Sequence, residues 1–118
     1  MKESILKRLK KYNMGGAMLP GGMAAPITGS DAIEFMGQTH DQGGIMMDPQ
    51  TEVEDGETMD KVKGQDYFFS NHLKLGGRTF ADRHKQLLNA GATQKEIDEL
   101  ADIQEKISVR DKYDLGGE

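Results

Sequence analysis

At 118 residues and 36% hydrophobic content the chain has room for one small domain with a thin core, since a chain this size buries only about 60 to 70% of its unfolded surface. Having no cysteine, it holds neither a disulfide framework nor a thiolate zinc site, which fits a reducing compartment; with no apolar run near the roughly 18 residues of a membrane span and no signal-peptide core, it reads as soluble and unexported. The net charge of −5 hides an asymmetry: residues 1–12 carry Lys2, Lys7, Arg8, Lys10 and Lys11 against Glu3 alone, whereas residues 40–60 carry Asp41, Asp48, Glu52, Glu54, Asp55, Glu57 and Asp60 with no Lys or Arg.

In residues 1–12, Ile5, Leu6, Leu9 and Tyr12 fall near one face at helical spacing, which predicts a short basic amphipathic helix. Its charge suits DNA, a membrane surface or a partner groove, and the plainer reading is a solvated terminus. Residues 13–30 show no period of 2 or 3.6. With the pairs Gly15-Gly16 and Gly21-Gly22, Pro20 and Pro26, they predict a Gly/Met-rich extended arm that orders on a partner surface.

Residues 31–73 read as a small β domain. Ile33–Met36 alternates and ends at Gly37, and Gly43-Gly44 turns the chain into a second short strand, Ile45–Met47, which Asp48-Pro49 stops. Asp55-Gly56, flanked by Thr51–Glu54 and Glu57–Asp60, is a strong signal for a two-residue type I′ hairpin. Tyr67-Phe68-Phe69 predicts the most aromatic and most buried strand.

Residues 78–111 predict a helical hairpin. Thr79 is an N-cap for a stripe of Phe80, His84, Leu87 and Leu88 that ends at Asn89-Ala90-Gly91, and Thr93-Gln94-Lys95-Glu96 is a capping box for a second helix with Ile97, Leu100, Ile103 and Ile107 on its apolar side. That helix is expected to end near Asp111, leaving residues 112–118 as a Gly-Gly tail. The fold class is therefore α+β, a small antiparallel sheet with a hairpin followed by a helical hairpin.

Lys11-Tyr12-Asn13-Met14-Gly15-Gly16 and Lys112-Tyr113-Asp114-Leu115-Gly116-Gly117 share one pattern, and Leu75-Gly76-Gly77 repeats its last half. An apolar residue before two glycines can thread a cleft that side chains would block, so Tyr12, Gly15, Gly16, Tyr113, Gly116 and Gly117 form processing or docking motifs; the alternative is that these glycines simply end elements.

In the expected hairpin Glu52, Glu54 and Glu57 share a face with Met59. Three carboxylates so placed make a solvated acidic edge, a patch for a basic partner or a divalent-cation site. An EF-hand is excluded, because Gly56 at its sixth position would make Thr51 and Val53 ligands. His40, His72 and His84 lack metal-ligand spacing; His84 is expected to pack and His40 to bond to its own turn. No Gly-x-Ser-x-Gly or phosphate-binding loop is present, so no catalytic residue, metal or cofactor is assigned, and His40, Gly43, Gly44, Asp55 and Gly56 are read as architectural. The alternative is an enzyme or autoprocessing module with His40 as base and Glu52, Glu54 or Glu57 as acid or metal ligand.

Gly37-Gln38-Thr39-His40-Asp41-Gln42-Gly43-Gly44-Ile45, Glu52-Val53-Glu54-Asp55-Gly56-Glu57, Asp66 through Leu73 and Thr79-Phe80-Ala81-Asp82 together resemble a domain of virion-associated proteins in crAss-like and related phages of gut Bacteroidales. The resemblance covers residues 33–90, and the Lys-Tyr-x-x-Gly-Gly segments are also similar to ones in those phages' proteins. It implies a non-enzymatic structural or packaged, cargo-type protein of the virion, present in the host cytoplasm before assembly. The partners it implies are other phage structural proteins; the charge of Lys2, Lys7, Arg8, Lys10 and Lys11 adds DNA as a candidate partner, and further copies of the chain are another. The resemblance transfers no catalytic residue.

Overall fold

The computed structural model describes residues 16–117, with side chains through Ser108. The fold is α+β: a small antiparallel sheet of short strands followed by a pair of helices. The main sheet has five strands in the order β1 (Ala17–Leu19), β2 (Gly22–Pro26), β3 (Ile33–Gly37), β6 (Thr58–Val62) and β7 (Gln65–Phe69). Strands β4 (Ile45–Asp48) and β5 (Thr51–Val53) form a separate two-stranded ribbon, as do β8 (Lys74–Leu75) and β9 (Arg78–Thr79). Helices α1 (Phe80–Asn89) and α2 (Gln94–Gly117) complete the chain.

The sheet separates two half-cores. On one face Ala24, Ile33, Phe35 and Met59 pack with Ile45 and Val53 of the β4–β5 ribbon. On the other, Val62 and Phe69 meet Phe80 and Ala81 of α1 and Ile97, Leu100 and Ala101 of α2. Side chains alternate across a strand, so β6 sends Met59 to the ribbon and Thr58, Asp60 and Val62 toward the helices.

Residues 17–26 are not an extended arm; they are the first two strands. Pro20-Gly21 joins Leu19 to Gly22, with Gly21 at φ +88°, and β2 then pairs along its whole length with β3. The alternation is real but hidden in the sequence: Ala24 points into the core and Met23 away from it, and both residues count as apolar. The basic segment 1–12, including Lys2, Lys7, Arg8, Lys10, Lys11 and Tyr12, lies outside the described residues, as do Gly15 and Glu118.

The Asp55-Gly56 hairpin does not form. Thr51–Val53 pairs back onto β4, Ile45 opposite Val53, while Thr58–Val62 pairs with β3 and β7. Residues 54–57 do make a turn, closed by the Glu57 amide donating to the Glu54 carbonyl at 3.1 Å. Gly56 has φ +87° and Asp55 is not left-handed, so the turn lacks the two positive φ values of type I′ and links two sheets instead of two paired strands. The two-residue hairpins with both central φ values positive are Lys63-Gly64, between Val62 and Gln65, and Gly76-Gly77, between Leu75 and Arg78. Gly76-Gly77 thus turns a ribbon, which accounts for that partial copy of the terminal Gly-Gly pattern.

The helix caps follow the sequence. The Asp82 amide donates to Thr79 Oγ1 at 3.1 Å, and Thr93 and Glu96 exchange the bonds of a capping box. Helix α2 runs through Lys112–Gly117, so Gly116 and Gly117 are in helical backbone and not in a loop tail; Lys112 through Leu115 hold no breaker, and helix termini tolerate glycine. Its buried face is Ile97, Leu100, Ala101 and Gln104, with Ile103 38% exposed. Phe69 is fully buried, but Tyr67 and Phe68 are half-buried because β7 is an edge strand.

Gln104 covers that edge. Its Oε1 accepts from the Ser70 amide at 2.9 Å, and its Nε2 donates to the Phe68 carbonyl at 2.9 Å and to the Tyr67 hydroxyl at 3.0 Å. A primary amide here replaces the missing neighbouring strand. Replacing it with leucine, of similar bulk, strands both backbone groups: Gln104→Leu is expected to lower unfolding stability by about 1 to 3 kcal/mol in urea titration. A change within roughly 0.5 kcal/mol contradicts the edge-covering role.

Candidate functional site

Three segments of the chain converge where it leaves the ribbon for the main sheet. The first is the short 3-10 turn His40–Gln42, whose start is held by the Thr39 amide donating to Gln42 Oε1 at 3.0 Å and whose end is closed by the Gly44 amide donating to the Thr39 carbonyl at 2.8 Å. Gly44 has φ +71°, and a Cβ there would collide with the Glu52 side chain, so glycine is required by conformation and by space. The second is β5 with the 54–57 turn. The third is Ser70–Leu73, where Ser70 Oγ accepts from the amides of His72 at 2.9 Å and Leu73 at 3.0 Å and shapes the bend after β7.

Glu54 is the hub. It is 2% exposed, and its two oxygens are divided between two histidines: His40 Nε2 lies 3.0 Å from Oε2 and His72 Nε2 lies 2.6 Å from Oε1. The other ring nitrogen of His40, Nδ1, bonds to Glu52 Oε2. Glu57 turns back on the same loop, its Oε1 accepting from the Glu54 amide at 3.0 Å. The turn is tied to its neighbours through Asp55: Oδ1 accepts from the Gly37 amide at 3.0 Å, and the carbonyl accepts from Asn71 Nδ2 at 3.3 Å. Gly56 lies against Asn71 so closely that a Cβ would clash with the side-chain amide.

Both ring nitrogens of His40 face carboxylate oxygens, which accept and do not donate, so the site favours the imidazolium form. The bond to Glu52 raises its pKa above the ordinary 6.5, and Glu54, Glu52 and Glu57 add to the effect through their charge, against a smaller loss from burial. Burial pushes the Glu57 carboxyl up from its ordinary value of 4.5, and the Glu54 carboxylate beside it pushes the same way.

The sequence readings sort accordingly. His40, Gly43, Gly44, Asp55 and Gly56 come together as architectural residues, with Gly43 at φ +110° ending the 3-10 turn and its amide donating to the His40 carbonyl at 3.0 Å. The expected face shared by Glu52, Glu54, Glu57 and Met59 does not exist: Met59 is in the core, Glu54 is buried, and His40 bridges Glu52 to Glu54. The solvated edge is therefore replaced by a buried, paired carboxylate. Because His40 and His72 take opposite oxygens of Glu54, their nitrogens do not converge on a point, and among the described residues no group of three His, Cys, Asp or Glu side chains is arranged to hold a metal ion. His40 reaches beyond its own turn to side chains on β5 and the following turn.

His84 packs, as its place on the α1 stripe predicts. It is fully buried, stacked on Phe69 with ring centroids 4.3 Å apart, and bonded to Thr58 Oγ1 at 2.7 Å and Asp60 Oδ2 at 2.8 Å. The order hydroxyl, imidazole, carboxylate is that of a relay, but Thr58 and His84 are both 0% exposed, so the arrangement ties β6 to α1 inside the core. His72 carried no signal of its own; the Phe-Ser-Asn-His segment of the resemblance was the pointer to it. No helix among the described residues is long and apolar enough to cross a membrane.

Set against known proteins, the chain matches no protein-family model, no curated protein and no solved structure.

The charge state of His40 gives the corner a pH signature. A histidine raised above 6.5 stabilises the fold fully below that value, and the contribution is lost as pH rises through the raised pKa; Glu57, raised from 4.5, likewise leaves the folded state less favoured as pH rises. The urea midpoint should fall as pH is taken upward from 6.5, and in His40→Asn that part of the profile should flatten relative to the parent. Parallel profiles for the two proteins contradict an imidazolium at His40.

Proposed function

We propose that this chain is a non-enzymatic structural or packaged component of a bacteriophage particle, acting through protein-protein contacts. The phage assignment rests on the resemblance of residues 33–90. What supports a contact role for that motif is one observation: its residues bond to one another. Both oxygens of Glu54, both ring nitrogens of His40, the Asn71 amide and the Asp55 carboxylate are engaged inside the corner. A histidine whose two ring nitrogens both face carboxylates is poorly placed to act as a base, and a carboxylate shared by two imidazoles has few lone pairs to offer a substrate.

On this reading the motif builds a frame, and contacts fall to the surfaces the frame presents. One is a shallow, mostly apolar groove of about 480 Å³ between α1 and α2, floored by Leu87 and Leu100, with Ile103 on its rim and Glu96 and Glu99 beside it. Another is the basic segment of Lys2, Lys7, Arg8, Lys10 and Lys11, which carries the charge for packaged DNA or an acidic protein. The partners are other phage structural proteins or further copies of the chain, and the place is the virion, reached from the host cytoplasm at assembly.

Mass spectrometry of density-purified particles of the encoding phage tests this directly. The chain is expected in the particles at a fixed ratio to the major capsid protein. Its absence from particles while abundant in the infected cell contradicts the proposal.

A further inference from the structure

Three of the chain's 8 methionines stand side by side on the main sheet. Met18 of β1 is directly opposite Met23 of β2, and Met23 is directly opposite Met36 of β3, so their side chains leave the same face of three neighbouring strands. The core lies behind them, where Ala24 and Phe35 are fully buried against the β4–β5 ribbon. Met18 is 82% exposed and Met36 37%.

Residues directly opposite on adjacent strands have Cβ atoms about 4.5 to 5.5 Å apart, and a methionine sulfur swings on flexible bonds beyond its Cβ. The outer two thioethers therefore reach the middle one. Space is kept for that middle side chain on β1, since a Cβ on Gly16 would meet the Met23 terminal methyl at 3.0 Å.

We propose that this row is a binding site for a soft monovalent metal cation, Cu(I) or its analogue Ag(I), held by the sulfurs of Met18, Met23 and Met36. The residue type argues for a metal over a plain apolar patch. Strand positions favour β-branched and aromatic side chains, and methionine at all three forgoes that preference. What it adds over valine or isoleucine is a sulfur lone pair, a soft donor suited to Cu(I) and unsuited to Mg or Ca, which take oxygen.

The donors that compete for such an ion are missing or engaged. The chain has no cysteine, and His40, His72 and His84 are bonded to Glu52, Glu54 and Asp60. The field beside the row also favours a cation. Glu34, two positions from Met36 on the same face, shares the Lys85 ammonium with Asp82, at 2.9 and 3.8 Å, so two carboxylates stand against one positive charge. Because strand register already fixes the spacing, binding needs only side-chain rotation, and the ion enters as Cu(I) with no electron transferred.

Ag(I), which keeps its oxidation state in buffer, is the probe. The full-length protein, isotope-labelled at the methionine methyls, is titrated with silver nitrate in chloride-free and thiol-free buffer and followed by methyl NMR, with assignments from single Met→Leu variants. One ion per chain is expected by native mass spectrometry, with the Met18, Met23 and Met36 methyls shifting together. Losing even an outer-shell partner costs a metal site about 10 to 100-fold in affinity. Met23→Leu and Met18→Leu, swaps of near-equal volume that a fold tolerates, should each weaken binding by about tenfold or more, whereas Met46→Leu on the ribbon leaves it unchanged. Shifts confined to Met1 or Met14, row methyls that titrate as separate sites, or Met23→Leu and Met18→Leu binding as tightly as the parent would each overturn the proposal. So would an equal loss in Met46→Leu, or the same methyl shifts on adding Ca(II).

Discussion

Glu54 brings a carboxylate, 2% exposed, to the point where the chain passes from the β4–β5 ribbon on one face of the main sheet into the interior strand β6. An ion buried without partners costs several kcal/mol, which would exclude it from such a junction. Here each oxygen has its own imidazole, His40 from the 3-10 turn before the ribbon and His72 from the bend after β7. Three segments distant in sequence therefore have one low-energy arrangement, the one that satisfies this group. Gly44 and Gly56 follow from the same constraint, since a side chain at either would push Glu52 or Asn71 out of place.

The thinness of the core explains why the molecule relies on such ties. The sheet divides the apolar residues into two small clusters, neither of which is large for its task. On the ribbon side the link is His40–Glu54–His72; on the helix side it is Thr58–His84–Asp60, with Gln104 closing the edge of β7. Polar networks of this kind specify a geometry, because a partly satisfied one is worse than none. The same economy leaves the β1–β3 half of one face with a row of methionines, Met18, Met23 and Met36.

Much of the architecture was legible in the sequence, and the failures have physical causes. The α+β class, β3, β4, the Thr79 cap and the Thr93–Glu96 capping box were readable because their signals are local. The β1–β2 hairpin was not, since alanine inward and methionine outward give no polar alternation. Asp55-Gly56 has the residues of a tight hairpin, but pairing Glu54 with Glu57 across it would set two carboxylates face to face, whereas withdrawing Glu54 between two histidines satisfies it. Lys63-Gly64 makes the hairpin instead, with Lys63 at φ +52°, a conformation its side chain gives no reason to expect. The corner was half legible: its glycines and His40 stood out, while His72 and the burial of Glu54 depend on contacts between distant segments.

The claim that Glu54 is a shared acceptor is tested most directly by a double-mutant cycle on unfolding free energy, pairing Glu54→Gln with His40→Asn and with His72→Asn. If one carboxylate serves both rings, each pair should show a coupling of about 0.5 to 3 kcal/mol, with Glu54→Gln costing more than either histidine change alone. Additivity within roughly 0.3 to 0.5 kcal/mol in both pairs would contradict it.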